Sequence, residues 1–334
     1  RLLILSLTTF GAFNLVAALS HSYALLFVAR IGMGLSAGTF MPAASAYAVA
    51  ATHADHRGRA LSIIYGGLTV AMVIGAPIGV LLGEHFGWRI IFVGVAALTG
   101  VALTGLGFTL QPIRHAASAT LAERIAIARR PDVLGTLAVT VITISGAYTV
   151  YSYLAPFLQQ TSHLTGDAVA LVMFLFGLGS TAGNFLSGAA VDRIGPRRVI
   201  GTILTGLIGL FAALSLAGTL FPPGVARWII VPLIALWGFV GFSFPSAQQA
   251  YIVTLAPRLA PITLSLNASA IYLGASLGAV LGSLVVAHRE VVALGWAAAG
   301  CEIVAVLALQ FTRRRRAVAA PAAEPAEEPL SKAA

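Results

Sequence analysis

The sequence predicts an all-α integral membrane fold, and three observations predict it. Apolar residues make up 58% of the 334-residue chain and charged residues only 9%, against roughly 25% charged in a soluble domain. The apolar residues fall into ten runs of the length a bilayer crossing requires, about 20 residues. The lysines and arginines are gathered in the connections between those runs, mostly on one side. Helices are the form these runs must take, because lipid offers a backbone no hydrogen bonds and each segment has to satisfy its own. The runs are too long and too uniformly apolar for barrel strands, which alternate over about ten residues.

In chain order the expected spans are 2–19, 23–50, 60–83, 88–110 and 133–157, then 168–190, 199–219, 228–253, 262–287 and 291–312. The longest connection, 111–132, carries Arg114, His115, Glu123, Arg124, Arg129 and Arg130, with a helix-like stretch from Ala119. It reads as a cytoplasmic linker between an N-terminal bundle (1–110) and a C-terminal bundle (133–312). The tail, 313–334, is rich in Ala, Pro and Glu after Arg316 and is expected to be disordered. Arg313–Arg316 is expected to anchor the last helix against anionic headgroups.

Of the 20 basic residues, 16 fall on one side of the predicted topology, three (Arg89, Arg227, Arg289) on the other, and Arg30 lies inside a span. The positive-inside rule then puts both termini in the cytoplasm. The net charge of +9 therefore reflects topology and not a nucleic-acid partner. All but one of the basic residues are Arg, which points to a GC-rich bacterial genome and an inner-membrane location. The single cysteine, Cys301, lies in an apolar run. It excludes an internal disulfide, and no metal-ligand cluster stands out.

The two sides of the central linker repeat one another. Gly75-Ala-Pro-Ile-Gly79-Val-Leu-Leu-Gly83 aligns with Gly274-Ala-Ser-Leu-Gly278-Ala-Val-Leu-Gly282 at an offset of 199, and Arg59 meets Arg258 at the same offset. Gly38 and Pro42 meet Gly241 and Pro245 at an offset of 203. Duplicated halves with a site between them near the midplane are a habit of secondary transporters. The second half has two spans before its basic loop, whereas the first begins at Arg1, in the place of Arg198. By subtraction along the repeat, two helices and roughly 65–70 residues are expected ahead of Arg1. Ten helices of a six-plus-six arrangement would then be present.

Several motifs carry chemistry. Gly188-Ala-Ala-Val-Asp192-Arg193-Ile-Gly195-Pro196-Arg197-Arg198 forms a tight loop between spans. Gly188 is expected to allow close helix approach, and Gly195 with Pro196 to make the turn. Asp192 suits a neighbouring helix N-terminus, and Arg193, Arg197 and Arg198 suit acids or lipid phosphates. The spacing reads as a conformational latch. Pro77 removes one helical hydrogen bond and kinks its helix, while its flanking glycines permit close packing. In the second copy Ser276 stands at its place, so the glycines are expected to serve packing in both halves and the proline to be the asymmetric feature.

These residues carry a family resemblance. The Gly188–Arg198 loop resembles the signature loop of the major facilitator superfamily. Leu26–Gly38, reading LFVARIGMGLSAG, resembles that superfamily's Arg-containing motif. Gly67 followed by Gly75, Pro77 and Gly79 is similar to its antiporter motif, with Ala76 and Val80 replacing two glycines of the strict form. Gly87-Trp88-Arg89, Tyr153-Leu-Ala-Pro156-Phe157, Phe176-Gly177 and Gly183-Asn184 resemble its drug and sugar exporters. The likeness spans essentially 1–312 and is greatest to twelve-helix drug:proton antiporters such as arabinose- and chloramphenicol-efflux permeases. It implies a major facilitator fold of two six-helix bundles, alternating access, and export driven by inward proton flow. No cofactor is then needed, since the proton gradient is the energy source. The expected partners are a small-molecule substrate, protons and the lipid bilayer, and the expected state is a monomer.

Two charges within spans stand out. Arg30 lies about two turns into its helix, roughly 10 Å at 1.5 Å per residue, where a charge costs several kcal/mol without water or a partner. It either snorkels outward or faces a cavity in substrate binding or proton coupling, and the second is the reading preferred. Its repeat partner is Leu233, so the shared fold does not require the charge. Glu302, near the middle of the last span, is either a functional acid or a protonated side chain facing lipid. Asn14, Tyr148, Tyr151, Tyr153, Asn184, Trp237, Gln248, Gln249 and Asn267 are candidates to line a cavity, or else to hydrogen-bond between helices. Aromatics with few charges suit an uncharged or moderately apolar cargo. An enzyme is excluded as a reading, since no paired carboxylates or nucleophile–His pattern is present. A nutrient importer on the same fold, or a non-transporting membrane sensor, are the alternatives to an exporter.

Overall fold

The computed structural model describes residues 2–53, 63–64, 67, 70–110, 125–127, 129–255 and 260–319. Its elements, in order, are α1 (Leu2–Ala18), α2 (Tyr23–Ala51), a π-helical turn (Ala71–Gly75) and α3 (Ala76–Phe86). Then come α4 (Arg89–Thr109), α5 (Pro131–Tyr151), α6 (Leu154–Ser162), α7 (Asp167–Ile194) and α8 (Pro196–Leu220). The chain closes with α9 (Pro223–Leu255), α10 (Ala260–His288) and α11 (Ala293–Ala319). Among the described residues every element is helical, as expected for a chain that must satisfy its backbone within lipid.

Eight of these helices are long and apolar enough to span a membrane, while Leu2–Ala18 and Val73–Phe86 are shorter apolar helices. All ten coincide with expected spans. The first part of the third span and most of the 111–132 linker, with the stretch from Ala119, lie outside the described residues. The last helix runs further than the sequence indicates. It was expected to stop at 312, and helical backbone continues to Ala319; the rest of the predicted disordered tail lies outside the described residues.

Large apolar side chains face outward all round: Phe108 is 92% exposed and Phe185 78%. In water such a surface would aggregate; in lipid it is the solvated face. The interior instead uses glycine and hydroxyl residues, as membrane helices do where backbones must approach closely. On α7, a Cβ on Gly179 would meet the Ala235 carbonyl at 2.2 Å, and one on Gly183 the Phe239 carbonyl at 1.9 Å. In return a Cβ on Gly238 of α9 would meet the Phe176 carbonyl at 2.2 Å. Ser243 Oγ donates to the Gly183 carbonyl at 3.0 Å, and Ser187 Oγ to the Ser243 carbonyl at 2.8 Å. The α7–α9 contact is thus zipped by glycines and serines together.

Helices α5 to α11 share one large core, from Phe157 and Leu204 through Ile230 to Leu294. In the first part of the chain, α1 is flanked by α2 and α4. Gly32 of α2 sits under the Phe13 ring, and Thr9 and Ser36 join hydroxyls at 2.9 Å. Arg89, beside Trp88, donates to the Ser20 carbonyl at 2.8 Å and fixes the α3–α4 corner to the end of α1. Helix α3 belongs to neither arrangement alone: it and the π turn lie against α7, and its Val80 packs on the second core.

Two local corrections have simple causes. The expected span 133–157 is broken at Ser152–Tyr153 into α5 and α6. Pro156 has no N–H to give the Ser152 carbonyl four residues back, and its ring crowds that carbonyl. The π turn before Pro77 has a related origin. The Ala76 N–H reaches five residues back to the Ala71 carbonyl, so the helix widens where proline would otherwise collide with it.

Candidate functional site

The antiporter-like segment occupies the seam between the two helix groups. Pro77 is buried on α3, directly after the π turn, and the segment rests on α7. At its far end Glu84 Oε1 accepts a hydrogen bond from the Gly166 N–H at 3.0 Å. Gly166 stands just before α7 with φ +60°, and a Cβ there would come within 3.1 Å of Glu84 Oε2. Glycine is therefore needed twice over, for the backbone angle and for the space. A carboxyl at a helix N-terminus is a favourable cap, and this one is supplied by the other helix group.

The glycines of the two repeat copies do not behave alike, contrary to expectation. On α10, Gly274, Gly278 and Gly282 press on α5, where a Cβ would meet the Val141, Ser145 and Thr149 carbonyls at 2.7, 2.4 and 2.8 Å. On the first copy, Gly79 has nothing within 4 Å and Gly75 only its own-turn Ala71 at 3.9 Å. The reason is positional: α3 turns its Pro77 and Val80 side to α7, and of its glycine stripe only Gly83 is approached by another helix among the described residues, where a Cβ would stand 3.1 Å from Ile91 Cδ1 of α4. Gly67 is likewise uncrowded and lines an apolar cavity of about 520 Å³ with Leu3, Phe40, Met41 and Leu106.

The Gly188–Arg198 loop turns on Gly195 alone, at φ +82°, with Pro196 opening α8. A Cβ on Gly188 would meet nothing within 4 Å among the described residues, so the glycine serves no close approach there. It sits near the end of α7 where Leu186, Ala189, Ala190, Arg193 and Ile194 line an open pocket of about 360 Å³. Asp192, Arg193 and Arg198 are exposed. The Arg197 guanidinium donates to Tyr251 Oη at 2.9 Å and to the Leu309 carbonyl, joining α8 to α9 and α11.

The cavity candidates divide. Asn14 is buried on α1 and donates to the Phe10 carbonyl at 2.8 Å. Gln248 Nε2 donates to the Thr136 carbonyl and to Thr140 Oγ1, at 2.8 and 2.9 Å, and Thr140 Oγ1 donates to Asn267 Oδ1 at 2.8 Å. These three helices are knotted by polar side chains, the interhelical alternative for Gln248 and Asn267. Asn184 accepts from Ser246 and is exposed, Gln249 is half-buried, and Tyr153 Oη bonds the Ala279 carbonyl at 3.4 Å. Tyr148, Tyr151 and Trp237 form an aromatic patch with Phe176. Ring centroids lie 5.6 Å apart for Tyr148–Tyr151, 5.5 Å for Tyr151–Phe176 and 4.9 Å for Phe176–Trp237. Trp237 and Phe176 are buried in the core, whereas the two tyrosines remain partly open.

Arg30 is exposed on α2, with its guanidinium carbon 5.8 Å from the Phe92 ring centroid. Glu302 faces inward and not toward lipid. It has no exposed surface, and its Oε1 lies 3.0 Å from where a Cβ on Gly146 would be. Among the described residues neither carboxyl oxygen has a hydrogen-bond partner, and the same holds for the buried Thr143 Oγ1 and Gln248 Oε1. Each such group costs about 1–3 kcal/mol. Sequence reasoning missed Glu84 and the stripe Thr136, Thr140 and Thr143. The stripe did have a signal, hydroxyls at i, i+4 and i+7 within an apolar run, which fall on one face of a helix.

This arrangement matches known proteins throughout. The chain is 28% identical over 284 residues to the inner membrane transport protein YdhP of Escherichia coli (strain K12), covering 85% of this chain and 71% of that protein. It is 27% identical over 314 residues to a probable sugar efflux transporter of Helicobacter pylori (strain G27), covering 93% and 78%. A bacterial homolog to the human lysosomal transporter Spinster, solved in an inward-facing and occupied conformation, shares the fold. Its TM-score is 0.64 at 19% identity, over 95% of this chain and 81% of that one. The family model described as Major Facilitator Superfamily matches residues 1–260 and 136–334. A multi-pass helical chain so matched along its whole length is no enzyme but a transporter, and it belongs to the Major Facilitator Superfamily.

Proposed function

We propose that this chain is a proton-coupled secondary transporter that exports drugs or small metabolites, sugars among them, by alternating access. The observation that carries this reading is the placement of the antiporter-like segment. The π turn, Pro77 and α3 of the first helix group lie on α7 of the second and are clasped to it at Glu84 and Gly166. A kinked helix at the boundary between two rocking groups suits a hinge and a leak-proof seam. The name of the Helicobacter pylori relative supports efflux. The partly open Tyr148 and Tyr151, backed by Phe176 and Trp237, suit a cargo that stacks on rings and carries little charge. Arg30 is the group we assign to cargo or proton binding on the first side.

The same reading places the protein in the bacterial inner membrane as a monomer with both termini cytoplasmic. It divides the chain into bundles 1–110 and 133–312 joined by 111–132. The proton gradient replaces any cofactor. The deciding experiment expresses the full-length gene in a bacterium stripped of its major efflux pumps. Accumulation of a panel of fluorescent drugs and labelled sugars is then followed with and without a protonophore. Lower accumulation, reversed by the protonophore, is the expected result. Raised accumulation of a compound would make the protein an importer, and no change for any compound would overturn the transport reading in favour of a sensor.

A further inference from the structure

Glu302 is the buried ionisable group that the seam does not use. It lies about 14 Å along α11 from Ala293, at 1.5 Å per residue, and so near the middle of the span. Gly146 of α5 leaves the space its carboxyl fills, since a Cβ there would stand 3.0 Å from Oε1 and 3.1 Å from the Ala298 carbonyl. Thr143 lies one turn from Gly146 on α5, and its buried hydroxyl, like the Glu302 carboxyl, has no hydrogen-bond partner among the described residues. Further along the same stripe Gln248 spends its amide nitrogen on Thr136 and Thr140 and leaves Oε1 unpartnered. Among the described residues the four unpartnered buried side-chain atoms thus come from three helices, the Thr143 hydroxyl of α5, the Gln248 oxygen of α9 and the two Glu302 oxygens of α11. Buried groups of this kind are ordinarily satisfied by internal water.

We infer that Glu302 and Thr143, with Gly146 providing the space, form a hydrated proton-binding site inside the second helix group. Bound water bridges the carboxyl to the threonine stripe. The site holds its proton on the Glu302 carboxyl and passes it to that water, one O–H bond breaking as another forms, with no other bond changed. Thr143 is a positioning residue: it orients the water and does not itself exchange the transported proton. This deepens the exporter reading, on which its link to transport rests.

The helices packed on α11 are α5, α8 and α10. Their titratable side chains are Asp132, Tyr148 and Tyr151 on α5, Arg197 and Arg198 on α8, and Tyr272 and His288 on α10. Asp132 lies about 16 Å along α5 from Thr143, and Arg197 is held by Tyr251 and Leu309. The neighbour on α11 itself is the Cys301 thiol. Among the described residues no cation is bonded to the acid, so a charge left on it would be uncompensated by them, and a proton is the ligand the site is built to take.

The test uses the full-length protein in membranes, probed with dicyclohexylcarbodiimide, which adds to protonated carboxyls within lipid. The expected result is an adduct on Glu302, found by mass spectrometry and lost as pH rises. Glu302→Gln should abolish that adduct and cut proton-driven export at least tenfold, while exchange of cargo for cargo continues. Thr143→Val should shift the pH profile of labelling, and Thr143→Ser should restore it, which a purely structural role would not do. Since labelling is read on the wild-type chain, a poorly folding variant does not decide the matter. Absence of the adduct at every pH would overturn the site. So would Glu302→Gln export at the wild-type rate with the same protonophore sensitivity. A wild-type protein that is labelled but exports nothing would sink the exporter reading and leave the proton site standing.

Discussion

Glu84 and Gly166, 82 residues apart, are joined by a single hydrogen bond from the glycine N–H to the carboxyl at 3.0 Å, and that bond ties the end of α3 to the start of α7. A cap of this kind is worth about 1 kcal/mol, or about a fivefold change in the population of the clasped arrangement. Glu84→Ala should therefore loosen this end without unfolding either helix group. Probes on Phe86→Cys and His163→Cys, in a Cys301→Ser background, should report longer distances in Glu84→Ala than in the parent. Glu84→Gln keeps an acceptor and should fall between. Equal distances in all three would mean the bond is incidental to the seam.

The helix zipped by glycines should tell the two repeat copies apart. Gly278 leaves no room for a Cβ, with the Ser145 carbonyl at 2.4 Å, whereas Gly79 has nothing within 4 Å. Gly278→Val should cost about 1–3 kcal/mol or more from overpacking and reduce the amount of monodisperse protein extracted in mild detergent. Gly79→Val should leave that amount unchanged. Parity between the two would show that α3 packs its glycine stripe as tightly as α10 does.

Much of this arrangement was open to sequence reading, and the exceptions have physical reasons. Spans are set by runs of apolar residues, which a bilayer makes the dominant local signal, so every described helix long and apolar enough to cross coincides with one. The α5–α6 break was hidden because apolar composition runs through it unbroken, although Pro156 carried the warning. Glu302 could be placed on a helix but not on a face, since a span apolar all round shows no amphipathic side. The same ambiguity hid which of Gln248, Asn267, Tyr148 and Tyr151 knot helices and which stay partly open. Gly188 was misread because a glycine marks permission for close approach and not its occurrence. Glu84 and Gly166 had no local signal at all, because their pairing exists only once two distant helices meet.

Within the latch-like loop, Arg197 should be set apart from its basic neighbours. Its guanidinium binds Tyr251 and the Leu309 carbonyl and so staples three helices, while Arg193 and Arg198 are exposed. Arg197→Ala should cost about 1.5–3 kcal/mol, the usual worth of hydrogen bonds to a charged group, and lower the unfolding temperature in detergent. Arg197→Lys cannot span both acceptors with one point charge and should recover only part of the loss. Arg193→Ala and Arg198→Ala should leave the unfolding temperature in place. A uniform response across the three arginines would return the loop to ordinary topology.

Arg30 offers the sharpest separation of function from fold. The charge is exposed on α2, with the Phe92 ring near it at 5.8 Å, so removing it deprives no helix among the described residues of a bond that holds it. Arg30→Ala should then leave membrane abundance normal while cutting export at least tenfold, and Arg30→Lys should retain part of it if charge alone is what the site needs. Tyr148→Ala makes a useful companion. It should raise the KM for cargo with abundance unchanged, whereas Trp237→Ala, deep in the core, should lose about 3–5 kcal/mol and with it the protein. Transport assays normalised to immunoblotted protein distinguish all three. Unchanged export in Arg30→Ala would remove this charge from both cargo binding and proton coupling, and would leave Glu302 to carry the coupling alone.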